Sequence, residues 1–416
     1  MTMTALLAWG LRRLVRQGHL TVTGPDGRVR SIGQPGSLPK AAFRITDPEL
    51  PLKLILNGDY HIGQGYMDGG IVIEDGSIRD LLEVLAINIG MESATGLKSI
   101  PHRLELLASY VRQFNPMGRS VANVAHHYDL SDDLYRRFLD DDWQYSCAYF
   151  QDDNATLQEA QLAKKRHLAA KLALKPGMRV LDIGSGWGGL AIYLARVAGA
   201  DVTGITLSVE QHKVATRRAA EAGVSDRVRF VLRDYRDETA TYDRIVSVGM
   251  FEHVGVPHYA AFFNKIHDLL TPDGVALIHS IGRVDGPGTT NPWLRKYIFP
   301  GGYAPALSEV LPHVERTCSY VTDIEILRMH YAWTLRHWAE RFATQRQEIA
   351  DTLYDERFCR MWEFYLAACE MDFAHLGTMV FQMQITRQID AVPFTRDYIA
   401  QAEAALLARE GELAAV

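Results

Sequence analysis

The sequence predicts an α/β protein: a doubly wound, mostly parallel sheet preceded by a smaller mixed N-terminal domain. Three observations predict it. From Val180 onward short apolar runs alternate with amphipathic helical patterns, a glycine-rich turn joins the first run to the first helix, and a chain of 416 residues exceeds one average domain. The expected division is an accessory domain over residues 1–113 and a catalytic domain over residues 114–416.

The elements follow in order. In MTMTALLAWGLRRLVRQG, Leu7, Leu11, Leu14 and Val15 fall at helical spacing with Arg12, Arg13 and Arg16 off that stripe. This helix is expected to pack on its own domain, with its arginines available to a bilayer surface. Residues 20 to about 80 are punctuated by Gly and Pro among short β-rich pieces such as ITDPEL and GGIVIEDG, and a helix, IRDLLEVLAINIGM, follows. FNPMGRS, residues 114–120, reads as a linker. The sheet region then runs VLDIG, GGLAIYLARVAG, DVTGITL, SVEQHKVATRRAAEAG, RVRFVLRDY, RIVSVGM, HYAAFFNKIHDLL and GVALIHSIG, strand and helix alternating until the third strand passes directly to the fourth.

Composition narrows the function. Hydrophobic content of 47% with 23% charged residues is that of a globular protein, and a net charge of −6 argues against nucleic acid as the main partner. Cys147, Cys318, Cys359 and Cys369 form no CxxC pair and have no His at zinc-ligand spacing, so no metal site is expected and a reducing cytoplasm is. The N-terminal arginines follow the apolar stretch, the reverse of a secretory signal. No apolar run reaches the roughly 18 residues of a membrane span, so peripheral attachment is the closest expected approach to a membrane.

Ligands of a doubly wound sheet bind outside the carboxyl ends of its strands. There VLDIGSGWGGL places Asp182 ahead of Gly184, Gly186, Gly188 and Gly189. The glycines allow a tight turn and close approach of backbone to ligand. A dinucleotide reading fits poorly, because the second strand ends in GITLSVEQ with Thr206, Ser208 and Gln211 where a ribose-binding acid is expected. Asp182 instead points to a ligand with cationic groups, such as S-adenosylmethionine. A second acid, Glu252, follows the buried run IVSV in IVSVGMFEHVG.

Together VLDIGSGWGGLA, GITLSVEQ, DYRD, DRIVSVGMFEHVG, NPWLRKYIFPGG and YSCAYF resemble the bacterial cyclopropane-fatty-acyl-phospholipid synthase family, a branch of the class I S-adenosylmethionine-dependent methyltransferases. The resemblance runs from about His126 to the C-terminus, and GDYHIGQGYMDGG is more loosely similar to the family's accessory domain. Ser185 departs from the family, which often has Cys there.

The resemblance implies that Gly184 and Gly186 line the methionine portion of the cofactor, Thr206 and Gln211 the ribose, and Asp234 with Tyr235 the adenine edge. Tyr145 and Ser146 would close over it. It further implies that a bound bicarbonate is the base, caged by Cys147, Glu252, His279, Ile281 and Tyr331. In that cage Glu252 accepts the bicarbonate hydroxyl, His279 and Tyr331 donate, and Ile281 offers only its backbone amide. His253 is expected to point away and cap the next helix, and Cys369 to be core or acyl-groove wall.

The expected partners are unsaturated phospholipid acyl chains at the inner face of the membrane, reached by a peripheral homodimer, with the aromatic C-terminal region lining an acyl tunnel. Two alternatives accompany this reading. One is a relative that methylates the acyl chain without closing a ring; the other is a lipid-binding protein on a methyltransferase fold.

Overall fold

The computed structural model describes residues 2–94 and 130–415. The expected domain boundary at 113/114 and the linker at residues 114–120 lie outside the described residues.

Helix α1, Met3–Leu14, is capped by the Thr2 hydroxyl, which accepts from the Ala5 amide at 3.2 Å. Its Leu7 and Leu11 pack on the core and Ala8 is buried, so the apolar stripe is a packing face as expected. Strands β1 (His19–Thr23), β2 (Val29–Gly33) and β3 (Lys40–Ile45) follow. Next come helices α2 (Leu50–Leu56) and α3 (Gly58–Met67), strand β4 (Ile71–Asp75) and helix α4 (Ile78–Ala94), which is broken at Gly90. These four strands form one sheet in the order β2-β1-β3-β4.

ITDPEL is only partly strand. β3 ends at Ile45, and Asp47 turns the chain by accepting from the Glu49 amide at 2.8 Å, with a proline at the start of α2.

The second region opens with α5 (Asp132–Phe138) and α6 (Leu157–Lys171). The alternating part is β5 (Arg179–Ile183), α7 (Gly189–Arg196), β6 (Asp201–Thr206), α8 (Val209–Glu221), β7 (Val228–Leu232), β8 (Tyr242–Val248), α9 (Tyr259–Leu269) and β9 (Leu270–Arg283). Each strand matches an expected one. Beyond it lie α10 (Pro292–Tyr297), α11 (Leu307–Glu315), β10 (Tyr320–Ile326), the long pair α12 (His330–Thr352) and α13 (Glu356–His375), β11 (Thr378–Thr386) and α14 (Asp397–Ala414).

The sheet order is β10-β11-β9-β8-β5-β6-β7, parallel throughout except that β11 runs antiparallel to both neighbours. The chain builds outward from β5 to β7 and then returns to place β8 on the other side of β5. That reversal opens a crevice at the carboxyl ends of β5, β6 and β8.

The N-terminal region docks on α13. Arg79 reaches the fully buried Glu370 at 2.9 Å, and Arg336 of α12 meets the same carboxylate at 2.9 Å. At Gly63 of α3 a Cβ would come within 2.6 Å of the Phe364 ring and 2.9 Å of Trp293, so glycine permits this close approach.

Candidate active site

A cleft of about 890 Å3, counting its open mouth, lies at that crevice. Gly184, Gly186, Thr206, Gln211, Asp234 and Tyr235 all line it, so most of the residues expected to hold the cofactor are brought together. Gly184 and Gly186 have φ of +84° and +52°. A Cβ on Gly184 would meet the Met250 side chain at 2.9 Å, whereas one on Gly186 would meet no protein atom within 4 Å and would stand in the cleft. The Thr206 hydroxyl donates to the Gln211 side-chain carbonyl at 3.1 Å, which orients the Gln211 amide. Asp234 is oriented by Arg236, whose Nε and Nη2 reach its two oxygens at 2.8 and 2.6 Å.

Asp182, Tyr145 and Ser146 are not on that lining. Side chains alternate along a strand, so Asp182 faces the sheet side opposite Ile183, beneath the turn into α7. It is 2% exposed, its Oδ2 has no partner among the described residues, and burial pushes its pKa up to about 7. The segment carrying Tyr145 and Ser146 crosses the same side. A Cβ on Gly189 would collide with Asp142 and Gln144, so this segment lies against the first turn of α7.

Helix α6 grips that segment. Gln161 donates to the Gln144 and Ser146 carbonyls at 3.2 and 3.0 Å, Lys164 to the Gln144 and Ser146 side chains at 2.8 Å each, and Lys165 to Asp142 at 2.6 Å. Tyr145 stacks on Trp338 with ring centroids 5.1 Å apart and shares a 2.8 Å hydrogen bond with the Tyr365 hydroxyl.

Burial dominates the surroundings of Glu252, with the Ile281 amide, its own backbone and the Ser280 hydroxyl opposing it. The residue sits in a short 3-10 turn after β8, and its Oε1 accepts the Ile281 amide at 2.7 Å. Its Oε2 is buried without a partner among the described residues, and burial pushes the pKa up to about 7. The Ile281 amide, expected to face the anion, is therefore taken by Glu252: a carboxylate out of water needs a donor, and this one tethers it.

His279 pairs with Val248 across β8 and β9 and with Gln382 across β9 and β11. Its Nδ1 lies 3.2 Å from the Gln382 side-chain nitrogen. Burial, with Lys164 and other cations nearby, lowers its pKa to about 3, so it is neutral and carries its proton on Nε2 when Nδ1 accepts.

Tyr331 and Tyr145 both pack against Trp338, and Thr334, one turn along α12, accepts the Ala148 amide at 3.0 Å beside Cys147. The Cys147 thiol is buried, contacts the Ala148 carbonyl at 3.3 Å and is held protonated by its burial. Cys147, Tyr331 and Ile281 belong to one apolar cluster. Ile281, which tethers Glu252, lies two residues beyond His279 on β9.

Comparison with known proteins settles the family. A family model described as mycolic acid cyclopropane synthetase matches residues 116–383. The chain belongs to the mycolic acid cyclopropane synthetase family. It is 38% identical over 360 residues to the cyclopropane-fatty-acyl-phospholipid synthase of Escherichia coli (strain K12), covering 85% of this chain and 90% of that protein. It is 34% identical over 396 residues to the tuberculostearic acid methyltransferase UfaA1 of Mycobacterium tuberculosis, covering 91% of this chain and 90% of that one. The solved mycolic acid cyclopropane synthase CmaA1, complexed with SAH and CTAB, superposes with a TM-score of 0.59 at 35% identity, covering 66% of this chain and 99% of that one. The fold is that of a class I S-adenosylmethionine-dependent methyltransferase, as the sequence predicted.

Within the cyclopropane synthetase family this chain carries Ser185, whose hydroxyl sits 3.4 Å from the Ile205 carbonyl in the glycine turn. Other lining residues escaped sequence reasoning: Arg233, Arg236, Met250 and His258. His253 corrects an expectation. Its side chain lines the cleft, because the 3-10 turn sends residues 252 and 253 in different directions, and burial lowers its pKa to about 4. Gln382 was likewise missed, since only the antiparallel pairing of β11 with β9 sets it beside His279.

Proposed function

We propose that this protein transfers a methylene unit from S-adenosylmethionine to the cis double bond of unsaturated phospholipid acyl chains, forming cyclopropane fatty acids with bound bicarbonate as the base. The observation that carries the reading is Glu252. One oxygen is tethered by a backbone amide and the other is buried without a partner among the described residues, which is the acceptor a bicarbonate hydroxyl needs. The open space at Gly186 fits the methionine end of the cofactor.

Bound S-adenosylmethionine supplies an electrophilic methyl group, and bicarbonate an oxygen able to take a proton. The protein's own part is positioning and exclusion of water. Tyr145 and Ser146, held by α6, close over the cofactor; Glu252, neutral His279 and Tyr331 orient the anion; the aromatic cluster of α12 and α13 keeps the site dry. An alkene is a weak nucleophile, so alignment supplies much of the rate. Ring closure requires the new methyl group to lose a proton, its C–H electrons forming the last ring bond.

At the surface, α1 and α2 present Trp9 at 47% and Leu56 at 75% exposure beside Arg12, Arg13 and Arg16, an amphipathic face suited to an anionic bilayer. Among the described residues no helix is long and apolar enough to cross a membrane. Peripheral binding at the inner face is our reading, with a homodimer placing two such faces on one surface.

A methyl-branching activity is the second reading, favoured by the resemblance to UfaA1. Both routes add CH2, so mass alone cannot separate them. With a fully deuterated cofactor methyl, ring closure leaves a CD2 carbon in the lipid. An intact CD3 branch would overturn the cyclopropane assignment.

A further inference from the structure

The Lys164 side chain is fully buried on α6, on the sheet side that carries His279. Its ammonium donates to two neutral oxygens, Gln144 Oε1 and Ser146 Oγ, each at 2.8 Å. No carboxylate of the described residues lies within 4.0 Å of it, and its third N–H has no acceptor among them.

The two nearest carboxylates are already engaged. Asp140 accepts the Gln144 and Asp142 amides at 2.8 and 3.1 Å, and Asp142 is paired with Lys165 and Arg218. The cluster therefore holds three cations, Lys164, Lys165 and Arg218, against two carboxylates, Asp140 and Asp142. A buried ammonium is costly unless an anion balances it. Burial lowers the Lys164 pKa to about 8, which still leaves it mostly protonated at neutral pH. Its field reaches the Cys147 thiol and His279, two members of the proposed cage, and its hydrogen bond holds Ser146, proposed to close over the cofactor.

We propose that Lys164 is the buried cation that anchors a carboxylate-type anion in the methyl-transfer site. The inference rests on the function proposed above, which brings two such anions to this place: bicarbonate, and the α-carboxylate of S-adenosylmethionine. Lys164 acts as a positioning residue, supplying the charge missing from the cluster and fixing the Ser146 hydroxyl.

The test is Lys164→Gln, which keeps N–H donors for Gln144 and Ser146 and removes the charge. Loss of one charge-assisted contact should weaken the anion by about tenfold or more. If the anion is bicarbonate, the concentration giving half-maximal turnover rises by that factor while cofactor affinity by calorimetry stays the same. If it is the cofactor carboxylate, S-adenosylmethionine binds that much more weakly while 5′-methylthioadenosine, which lacks the carboxylate, binds as before. Lys164→Arg should recover most of either loss. Should Lys164→Gln lack a cooperative melt, Lys164→Met fills a similar volume without charge and takes its place. A folded neutral variant with both affinities unchanged overturns the proposal. Wild-type turnover indifferent to bicarbonate would instead remove the bicarbonate base, and the calorimetric arm would still decide Lys164.

Discussion

At Glu252 the two oxygens of one carboxylate have different surroundings, and that asymmetry governs its chemistry. Oε1 is fixed by the Ile281 amide, while Oε2 is buried without a partner among the described residues. Glu252→Gln preserves shape but loses the charge and one acceptor. Turnover should fall by about a hundredfold or more, the scale of a disabled acid–base arrangement, with cofactor affinity by calorimetry unchanged. Wild-type turnover in this variant would dismiss the role. Burial raises the Glu252 pKa to about 7, so the carboxylate proposed to accept the bicarbonate hydroxyl is lost as pH falls through that value. The turnover limb below pH 7 should therefore descend toward acid and become shallower in the Gln variant, where only bicarbonate itself still takes up a proton. Glu252 drew notice in the sequence because it follows a buried run, yet its partner, Ile281, comes from the neighbouring strand. Neither that contact nor the Gln382 contact to His279 has a local signal.

At the scale of elements, α6 shows how far tertiary context overrides composition. Lys164, Lys165, Arg166, His167 and Lys171 would suggest a solvated face, but all five are buried. The helix is covered by the sheet on one side and by α14 on the other. Arg166 grips Glu410 at 3.0 and 2.7 Å, Lys171 meets Asp323 at 2.8 Å, and His167 lies 2.7 Å from both Glu325 and Glu403. Burial works against protonation of His167, but the two carboxylates outweigh it and raise the pKa. A raised histidine pKa stabilises the fold fully below its unfolded value of about 6.5, and this contribution is lost as pH rises through the folded value. His167→Gln should cost about 1.5–3 kcal/mol at pH 6, seen as a lower melting temperature. The gap to wild type should narrow in alkaline buffer; a constant gap from pH 6 to 9 would refute the charged clamp.

For the whole molecule, the Arg79–Glu370–Arg336 junction seats the N-terminal region on α12 and α13, leaving the outer face of α1 and α2 in solvent. Arg13 covers Trp9 at 3.6 Å, so charge and apolar surface are presented together. Anionic vesicles should bind the protein, and Arg12→Ala, Arg13→Ala and Arg16→Ala combined should weaken sedimentation with them by about a hundredfold, near 1 kcal/mol per arginine. Added salt should mimic the triple variant, and turnover on detergent-dispersed lipid should be spared. Equal vesicle binding by the triple variant and wild type would show that this face is not the contact.

Period and punctuation in the sequence determined the doubly wound sheet, because a strand buried on both faces and a helix with one apolar stripe leave distinct patterns that no later contact alters. The glycine punctuation also located the cleft at Gly184 and Gly186, since the topology of such a sheet puts strand ends together, whereas Thr206, Gln211 and Asp234 were implied by the family resemblance and line the same cleft. Strands β10 and β11 were not legible, and with them went Gln382, because a nine-residue strand set between long helices carries little period of its own. Likewise His253 turned into the cleft, Asp182 beneath it, and five basic residues of α6 into the interior. Each of those outcomes depends on a partner distant in the chain: burial, charge balance and the fate of a buried proton are properties of what surrounds a side chain, and only the folded structure assembles those surroundings.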